Sequence, residues 1–266
     1  MATAVPARGS ERTLRCLVTG ASRGIGAAIA TSLAEQGHQV ALTARGQADL
    51  QTLSDRLAED FNAQTLVIPA DATDPRAPQQ LINTVVQEWG GLDALVLNAG
   101  EGVSATIEET DDELWARMLD LNATAPFRFL RSAVPVMRDG GFGRIVVVAS
   151  VASRAGSPYI VAYTAAKHAV LGMVRSAAAE LATTGITVNA VCPAYVDTPM
   201  TQKSIESIVA KTGRAAADVA ERLARMQPIN RLITPEEVAD AVTFLVHDRG
   251  GINGQGITID GGRIQA

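Results

Sequence analysis

Little in this sequence points to disulfide, metal or membrane chemistry. It has only two cysteines, Cys16 and Cys192, both in apolar contexts. They read as core residues and suit a reducing cytoplasm. The three histidines, His38, His168 and His247, stand apart with no metal-ligand spacing, so no metal site is expected. Aromatic residues make up 4% of the chain, which leaves Ala, Val, Leu and Ile to fill the core. No apolar run approaches the ~20 residues of a membrane span. The formal net charge of −5 argues against nucleic acid as a partner. Residues 1–11 lack the apolar region of a secretory signal. Residues 1–12 read as a loose polar leader, followed by a single α/β domain over 13–266.

What is present is a repeating strand–helix rhythm. Residues 14–19 form a short β-like run that meets Gly20-Ala21-Ser22-Arg23-Gly24-Ile25-Gly26 and then an Ala-rich helical pattern. Strand, glycine turn and helix make a phosphate cradle credible. Glycines let backbone approach a pyrophosphate, and a helix N-terminus offers free N–H groups. A tight turn without any ligand is the plainer alternative. Strands then follow at 39–44, 64–70, 92–97, 144–149, 186–191 and from 256. Helical patterns lie between them at 49–61, 75–89, 112–137, 157–182 and 235–246. Such alternation predicts a doubly wound seven-stranded parallel sheet, with ligands at the carboxyl ends of its strands. Arg45, Asp71 and Asn98 fall at or just after such ends. Asp71 could accept a bond from an adenine amine, and Asn98-Ala99-Gly100 would let a ring lie close to backbone. The 112–137 pattern breaks near Asn122 and Pro126.

Tyr163 and Lys167 are spaced i and i+4 and share a helix face. A phenol titrates near pH ~10, and an ammonium one turn away is expected to lower that value, giving a proton-transfer pair. The alternative is a half-buried Tyr beside a snorkelling Lys. Ser150, at the end of a nearly uniformly apolar strand, favours the first reading.

Together, Thr19-Gly20, Gly24, Gly26, Asn98-Ala99-Gly100, Asn122, Ser150, Tyr163, Lys167 and Pro193 resemble the classical short-chain dehydrogenases/reductases, in register over nearly the whole chain. Within that family the chain looks most like 3-oxoacyl thioester reductases and bacterial ketoreductases. The resemblance implies a Rossmann-type fold and hydride transfer between a nicotinamide and a ketone or secondary alcohol. It implies that Tyr163 is the general acid or base and that Lys167 lowers its pKa and holds ribose hydroxyls. Ser150 would bond the substrate oxygen, and Asn122 would hold a water leading to solvent. Cofactor contacts are expected at Gly20, Ser22, Arg23, Gly24, Ile25, Gly26, Arg45, Asp71, Ala72, Asn98, Ala99, Gly100, Tyr163, Lys167, Pro193, Val196 and Thr198. The second strand ends on Ala44 and Arg45 rather than on a carboxylate, which favours NADP(H) over NAD(H). One departure is Pro193-Ala194, where the family has Pro-Gly.

Residues 199–234 lie outside the rhythm and are expected to form a mobile lid. Lys203, Lys211, Arg214, Arg222, Arg225 and Arg231 outweigh Glu206, Asp218 and Glu221 there. That surplus suits coenzyme A or an acyl carrier protein, although a solvated helix face would look the same. The run at 159–182 is apolar almost all round, so a second subunit is expected against it, and the resemblance suggests a homotetramer or a homodimer. The reading is therefore an NADP(H)-dependent ketoreductase acting on a 3-oxoacyl thioester. A catabolic secondary- or cyclic-alcohol dehydrogenase and a non-catalytic NADP-binding regulator are its rivals.

Overall fold

The computed structural model of the chain describes residues 12–265. Its strands are β1 (Arg15–Thr19), β2 (Gln39–Thr43), β3 (Thr65–Val67), β4 (Ala94–Leu97), β5 (Gly143–Val148), β6 (Ile186–Pro193) and β7 (Gly256–Ile259). The helices are α1 (Gly24–Glu35), α2 (Gln47–Phe61), α3 (Ala77–Trp89), α4 (Asp112–Leu119), α5 (Ala125–Asp139), α6 (Val161–Leu181), α7 (Pro199–Thr212), α8 (Ala216–Arg225) and α9 (Pro235–His247). The leader expected at 1–12 lies, except for Arg12, outside the described residues.

The strands pair in the order β3-β2-β1-β4-β5-β6-β7, every pairing parallel. Side chains alternate across each strand. Val18, Val40 and Val96 face one core, with Ile29 and Leu33 of α1, Leu50 of α2 and Val242 of α9. Leu17, Ala41 and Leu95 face the other, with Leu81 of α3, Phe129 of α5 and Val170 of α6. Both faces are apolar because both are covered, and β4, β5 and β6 are buried along their whole length. Each fully buried Leu, Ile or Val contributes roughly 1.5–3 kcal/mol. Strand order reverses between β1 and β4, so a crevice opens at their carboxyl ends.

Several boundaries differ from expectation. β3 is shorter than 64–70 because Pro69 cannot extend a ladder. The pattern at 112–137 is two helices joined by a π-turn, Asp120–Thr124, which holds Asn122. The run at 157–182 becomes helical only at Val161, because Tyr159 sits at φ 68°, in the left-handed region. His38 and His247, far apart in sequence, meet with their Nε2 atoms 2.8 Å apart, where the α1–β2 turn touches the end of α9. Among the described residues no helix is long and apolar enough to cross a membrane.

Candidate active site

β1 delivers the chain to a turn that only glycine can make. Gly20 and Gly24 have φ of +64° and +56°. A Cβ on Gly26 would overlap the Gly20 carbonyl and lie 2.5 Å from Asn98 Nδ2. Asn98 closes the turn from β4: its Nδ2 donates to the Thr19 and Gly20 carbonyls at 3.0 and 3.1 Å. The Asn98 and Ala99 N–H groups donate to Thr19 Oγ1 at 2.9 and 3.1 Å. Thr19, a polar ending on an apolar strand, is thus a clasp between the glycine turn and the end of β4, and its polarity is the only sign of that role in the sequence. Arg23 precedes α1 in extended conformation, and no side chain caps that helix. Its first-turn N–H groups therefore face the turn uncapped, an arrangement that fits a phosphate-bearing cofactor.

The 2′ side of such a cofactor would meet the ends of β2 and β3. Arg23 and Arg45 are exposed there. Asp71 Oδ1 accepts from the N–H and hydroxyl of Thr73 at 2.9 and 2.7 Å. Those two bonds hold the Asp71 carboxyl below its usual range, against a small opposing effect of burial and with help from the Arg45 charge. Its other oxygen is left for a ligand. No carboxylate stands at the end of β2, where Ala44 accepts from the Ala70 N–H at 3.0 Å.

Asn122, Ser150, Tyr163 and Lys167 line one cleft with about 490 Å³ of empty space, together with Ile25, Asn98, Gly100, Pro193, Val196 and Thr198. Ser150 leaves β5 in extended conformation and caps a 3₁₀ turn, Val151–Ser153, accepting from the Ala152 N–H at 3.1 Å. Its hydroxyl is hydrogen-bonded to the Tyr163 phenol. Lys167 is buried, and its Nζ donates to the Val148 carbonyl at 3.0 Å. Asn122 Nδ2 donates to the Glu101 and Met118 carbonyls at 2.9 and 3.0 Å, and its Oδ1 accepts from the Glu101 N–H at 3.2 Å. A Cβ on Gly100 would lie 2.9 Å from Asn122 Oδ1 and 3.6 Å from Lys167 Nζ, so Gly100 is where these two side chains converge.

The electrostatics correct one expectation. In the chain by itself the Tyr163 phenol is pushed up, not down. Burial dominates, the Ser150 bond opposes it, and Tyr195 and Cys192 add to it. Burial pushes Lys167 down to about 8. Its ammonium stands 5.6 Å from the Tyr163 ring centre and spends a hydrogen bond on Val148, too weak a neighbour to offset the lost hydration.

Ala194 also resolves plainly. The described non-glycine residues in the left-handed region are Asn62, Tyr159 and Asn230, so the loop after Pro193 does not need glycine. Thr198 caps α7, accepting from the Thr201 N–H at 3.4 Å, and stands 3.3 Å from where a Gly24 Cβ would be. The Val196 carbonyl is taken by the Thr201 hydroxyl at 2.6 Å. Beyond, α7 and α8 pack through Ile205, Val219 and Leu223 onto Tyr195. Gln227, fully buried, donates to the Tyr195 and Arg231 carbonyls at 3.1 and 2.9 Å and so clips both ends of this segment together. Nothing in the sequence distinguishes it from any glutamine beside a proline. Lys211 donates to the Ser104 carbonyl at 3.3 Å, across from the loop that follows Gly100.

A family profile described as Enoyl-(Acyl carrier protein) reductase matches residues 20–263. The chain is 36% identical over 253 residues to D-beta-hydroxybutyrate dehydrogenase of Rhizobium meliloti (strain 1021), covering 94% of this chain and 98% of that protein. It is 37% identical over 250 residues to the monensin polyketide synthase putative ketoacyl reductase of Streptomyces virginiae, covering 92% and 95%. A crystal structure of a variant actinorhodin polyketide ketoreductase with NADPH superposes with a TM-score of 0.90 at 33% identity, over 95% of this chain and 99% of that one.

Proposed function

The chain belongs to the short-chain dehydrogenase/reductase family and is an oxidoreductase acting on CH–OH groups and carbonyls, and on that footing we propose that it is an NADP(H)-dependent reductase of 3-oxoacyl thioesters. The observation that carries the reading is the convergence of Asn122, Ser150, Tyr163 and Lys167 on one cleft beside the glycine turn.

A nicotinamide dinucleotide bound along the glycine turn would supply the hydride for reduction and take it back in oxidation. Gly20, Ser22, Gly24, Ile25 and Gly26 would hold its phosphates, with Asn98-Ala99-Gly100, Pro193, Val196 and Thr198 around the rest. Tyr163 gives its phenolic proton to the substrate oxygen, and Ser150 donates a hydrogen bond to the same oxygen as charge builds there. A phenol raised by burial keeps its proton at neutral pH, which suits an acid. Lys167 stabilises the phenolate once it forms. Asn122 acts through its main chain, since both Nδ2 hydrogens are spent on the Glu101 and Met118 carbonyls. The π-turn frees backbone carbonyls for a water that carries the proton onward.

The absence of a carboxylate after β2, with Arg45 and Arg23 exposed instead, supports NADP(H). Residues 199–234 serve as the lid. Three of its cations are paired: Lys211 with Glu109 at 3.9 Å, Arg225 with Glu221 at 2.6 Å and Arg231 with Glu237 at 2.7 Å. Lys203, Arg214 and Arg222 are exposed and remain for a carrier's phosphate. Assembly into dimers or tetramers uses the outer side of α6 with α5, where Phe127 is 46% exposed.

A panel of 3-oxoacyl thioesters, free ketones and cyclic alcohols, run with NADPH and NADH, tests the reading. A KM for the acyl-CoA substrate that rises steeply with salt, with no such rise for a free ketone, supports the carrier. Equal salt dependence removes it. A second reading, oxidation of a secondary alcohol in catabolism, draws on the 36% identity to D-beta-hydroxybutyrate dehydrogenase, and faster turnover of hydroxy acids than of thioesters would favour it.

A further inference from the structure

The mechanism leaves Arg128 unused, and its position is unusual. It projects from α5, and its Nη1 forks between the Thr73 carbonyl and Asp120 Oδ1, both at 3.1 Å. Thr73 belongs to the loop after β3, and its N–H and hydroxyl fix the Asp71 carboxylate. Asp120 opens the π-turn that two residues later presents Asn122. One guanidinium therefore joins the loop on the cofactor's adenine side to the turn behind Lys167. Between the same two segments lies a small, mostly apolar cavity, lined by Ala72 from the one and Leu121 from the other, with Ala99 and Phe129.

We infer that Arg128 is a positioning residue, which couples placement of the adenine-side loop to placement of the Asn122 turn. An extra residue in a helix is held only if something fixes it, and here, beside the Asn122 bonds to Glu101, a fixing bond to Asp120 comes from the guanidinium that also binds the Thr73 carbonyl. An isolated surface ion pair would do little, but Arg128 is 21% exposed and bonds two separate segments at once. A dinucleotide gripping the Asp71 loop thereby stiffens the turn that serves the reacting end, the way remote binding energy is turned to alignment. The inference rests on the cofactor reading above.

The test uses the full chain as Arg128→Met, Arg128→Lys and Asp120→Asn, with two readouts. The first is amide hydrogen exchange of the cofactor-free protein. Arg128→Met is expected to speed exchange at both 71–74 and 120–124, whereas Asp120→Asn should speed it at 120–124 only. The second is NADPH affinity by calorimetry together with kcat. Arg128→Met should weaken binding and lower kcat, each on the order of five- to tenfold, and Arg128→Lys should recover part of both. Unchanged exchange at 120–124 in Arg128→Met, with affinity and kcat as in the parent and only a lower melting temperature, overturns the inference. Should Arg128→Met fail to fold, Asp120→Asn decides alone: a smaller NADPH-induced slowing of exchange at 120–124 than in the parent supports the coupling, and an equal slowing refutes it. If the parent chain itself did not bind NADPH, the cofactor reading would fall, while the exchange data would still decide whether the bridge exists.

Discussion

Lys167 Nζ donates to the Val148 carbonyl at 3.0 Å while standing 5.6 Å from the centre of the Tyr163 ring. The lysine is thus anchored to the end of β5, the strand that also delivers Ser150. Ser150, Tyr163 and Lys167 are thus held by one strand end and one helix face at the wall of the cleft. Rigid placement of this kind is what lets a proton transfer proceed without reorganisation.

The first prediction concerns pH. Burial places Lys167 at about 8, so its charge is complete below pH 7 and lost as pH rises through 8. The ketone-reduction rate should be level in mildly acidic buffer and fall through this window, as the cation that favours phenolate formation disappears. Lys167→Met should be slow throughout and lack that limb. Tyr163→Phe should lose roughly 10²–10⁴ in kcat while still binding NADPH. Stopped-flow reduction from pH 6 to 9.5 checks both, and a parent profile that is level through pH 9 would contradict the burial argument.

Cofactor choice provides the second. Arg45→Asp places a carboxylate beside Asp71, where a 2′-phosphate would otherwise meet a guanidinium. Exchanging an attraction for a repulsion should move the ratio of kcat/KM for NADPH over NADH toward NADH by about 10²-fold. Kinetics with both cofactors reads it directly. A parent enzyme already faster with NADH would show that Arg45 does not select.

Stability at the far, amino-terminal end of the sheet offers a third. Asp93 is 1% exposed and accepts from Arg12 Nη2 at 2.8 Å, Arg15 Nε at 2.7 Å and Arg15 N at 2.9 Å. Burial alone would raise its pKa, yet the Arg15 bonds and the two positive charges win, and the carboxyl sits below its ordinary value. A depressed folded pKa means stability that is present above the unfolded value of ~3.9 and is lost as pH falls through the lower folded one. Asp93→Asn should cost about 2–3 kcal/mol by thermal or urea unfolding at neutral pH and flatten the acid limb. Activity per folded molecule should not change, because the cleft lies at the opposite ends of the strands.

Much of this was legible in the sequence, and the reasons are local. A strand ending in a polar residue, such as Thr19 or Ser150, announces its carboxyl end, and the i, i+4 pair at 163 and 167 needs only a helix. The break near Asn122 was visible through Pro126, though its π geometry was not, since that depends on bonds to Glu101 and to Arg128 from outside the turn. Gln227 and the His38–His247 contact were illegible because their partners are brought together by folding alone. The sign of the Tyr163 shift is not legible in the sequence, because spacing reports a neighbour's charge and not how much water surrounds the phenol.

Two small substitutions that the sequence treats alike, both exchanges between glycine and alanine beside the cleft, should differ in their effect. Gly26→Ala sets a methyl group onto the Gly20 carbonyl, with Asn98 Nδ2 2.5 Å away. The neighbours cannot yield, because Asn98 is tied to Thr19 and Gly20. The turn must open, at roughly 1–3 kcal/mol, and cofactor binding should be lost with it. Ala194→Gly, which restores the residue usual in the family, should do the reverse of what that usage suggests. Ala194 is not in the left-handed region, so glycine relieves no strain there. It only adds freedom to the unfolded chain, lowering stability by about 0.4–1 kcal/mol with kcat and the NADPH affinity unchanged. Unfolding curves and NADPH titrations on the two variants settle the pair. A gain in activity for Ala194→Gly would mean that the loop after β6 adopts, when occupied, a conformation that alanine resists.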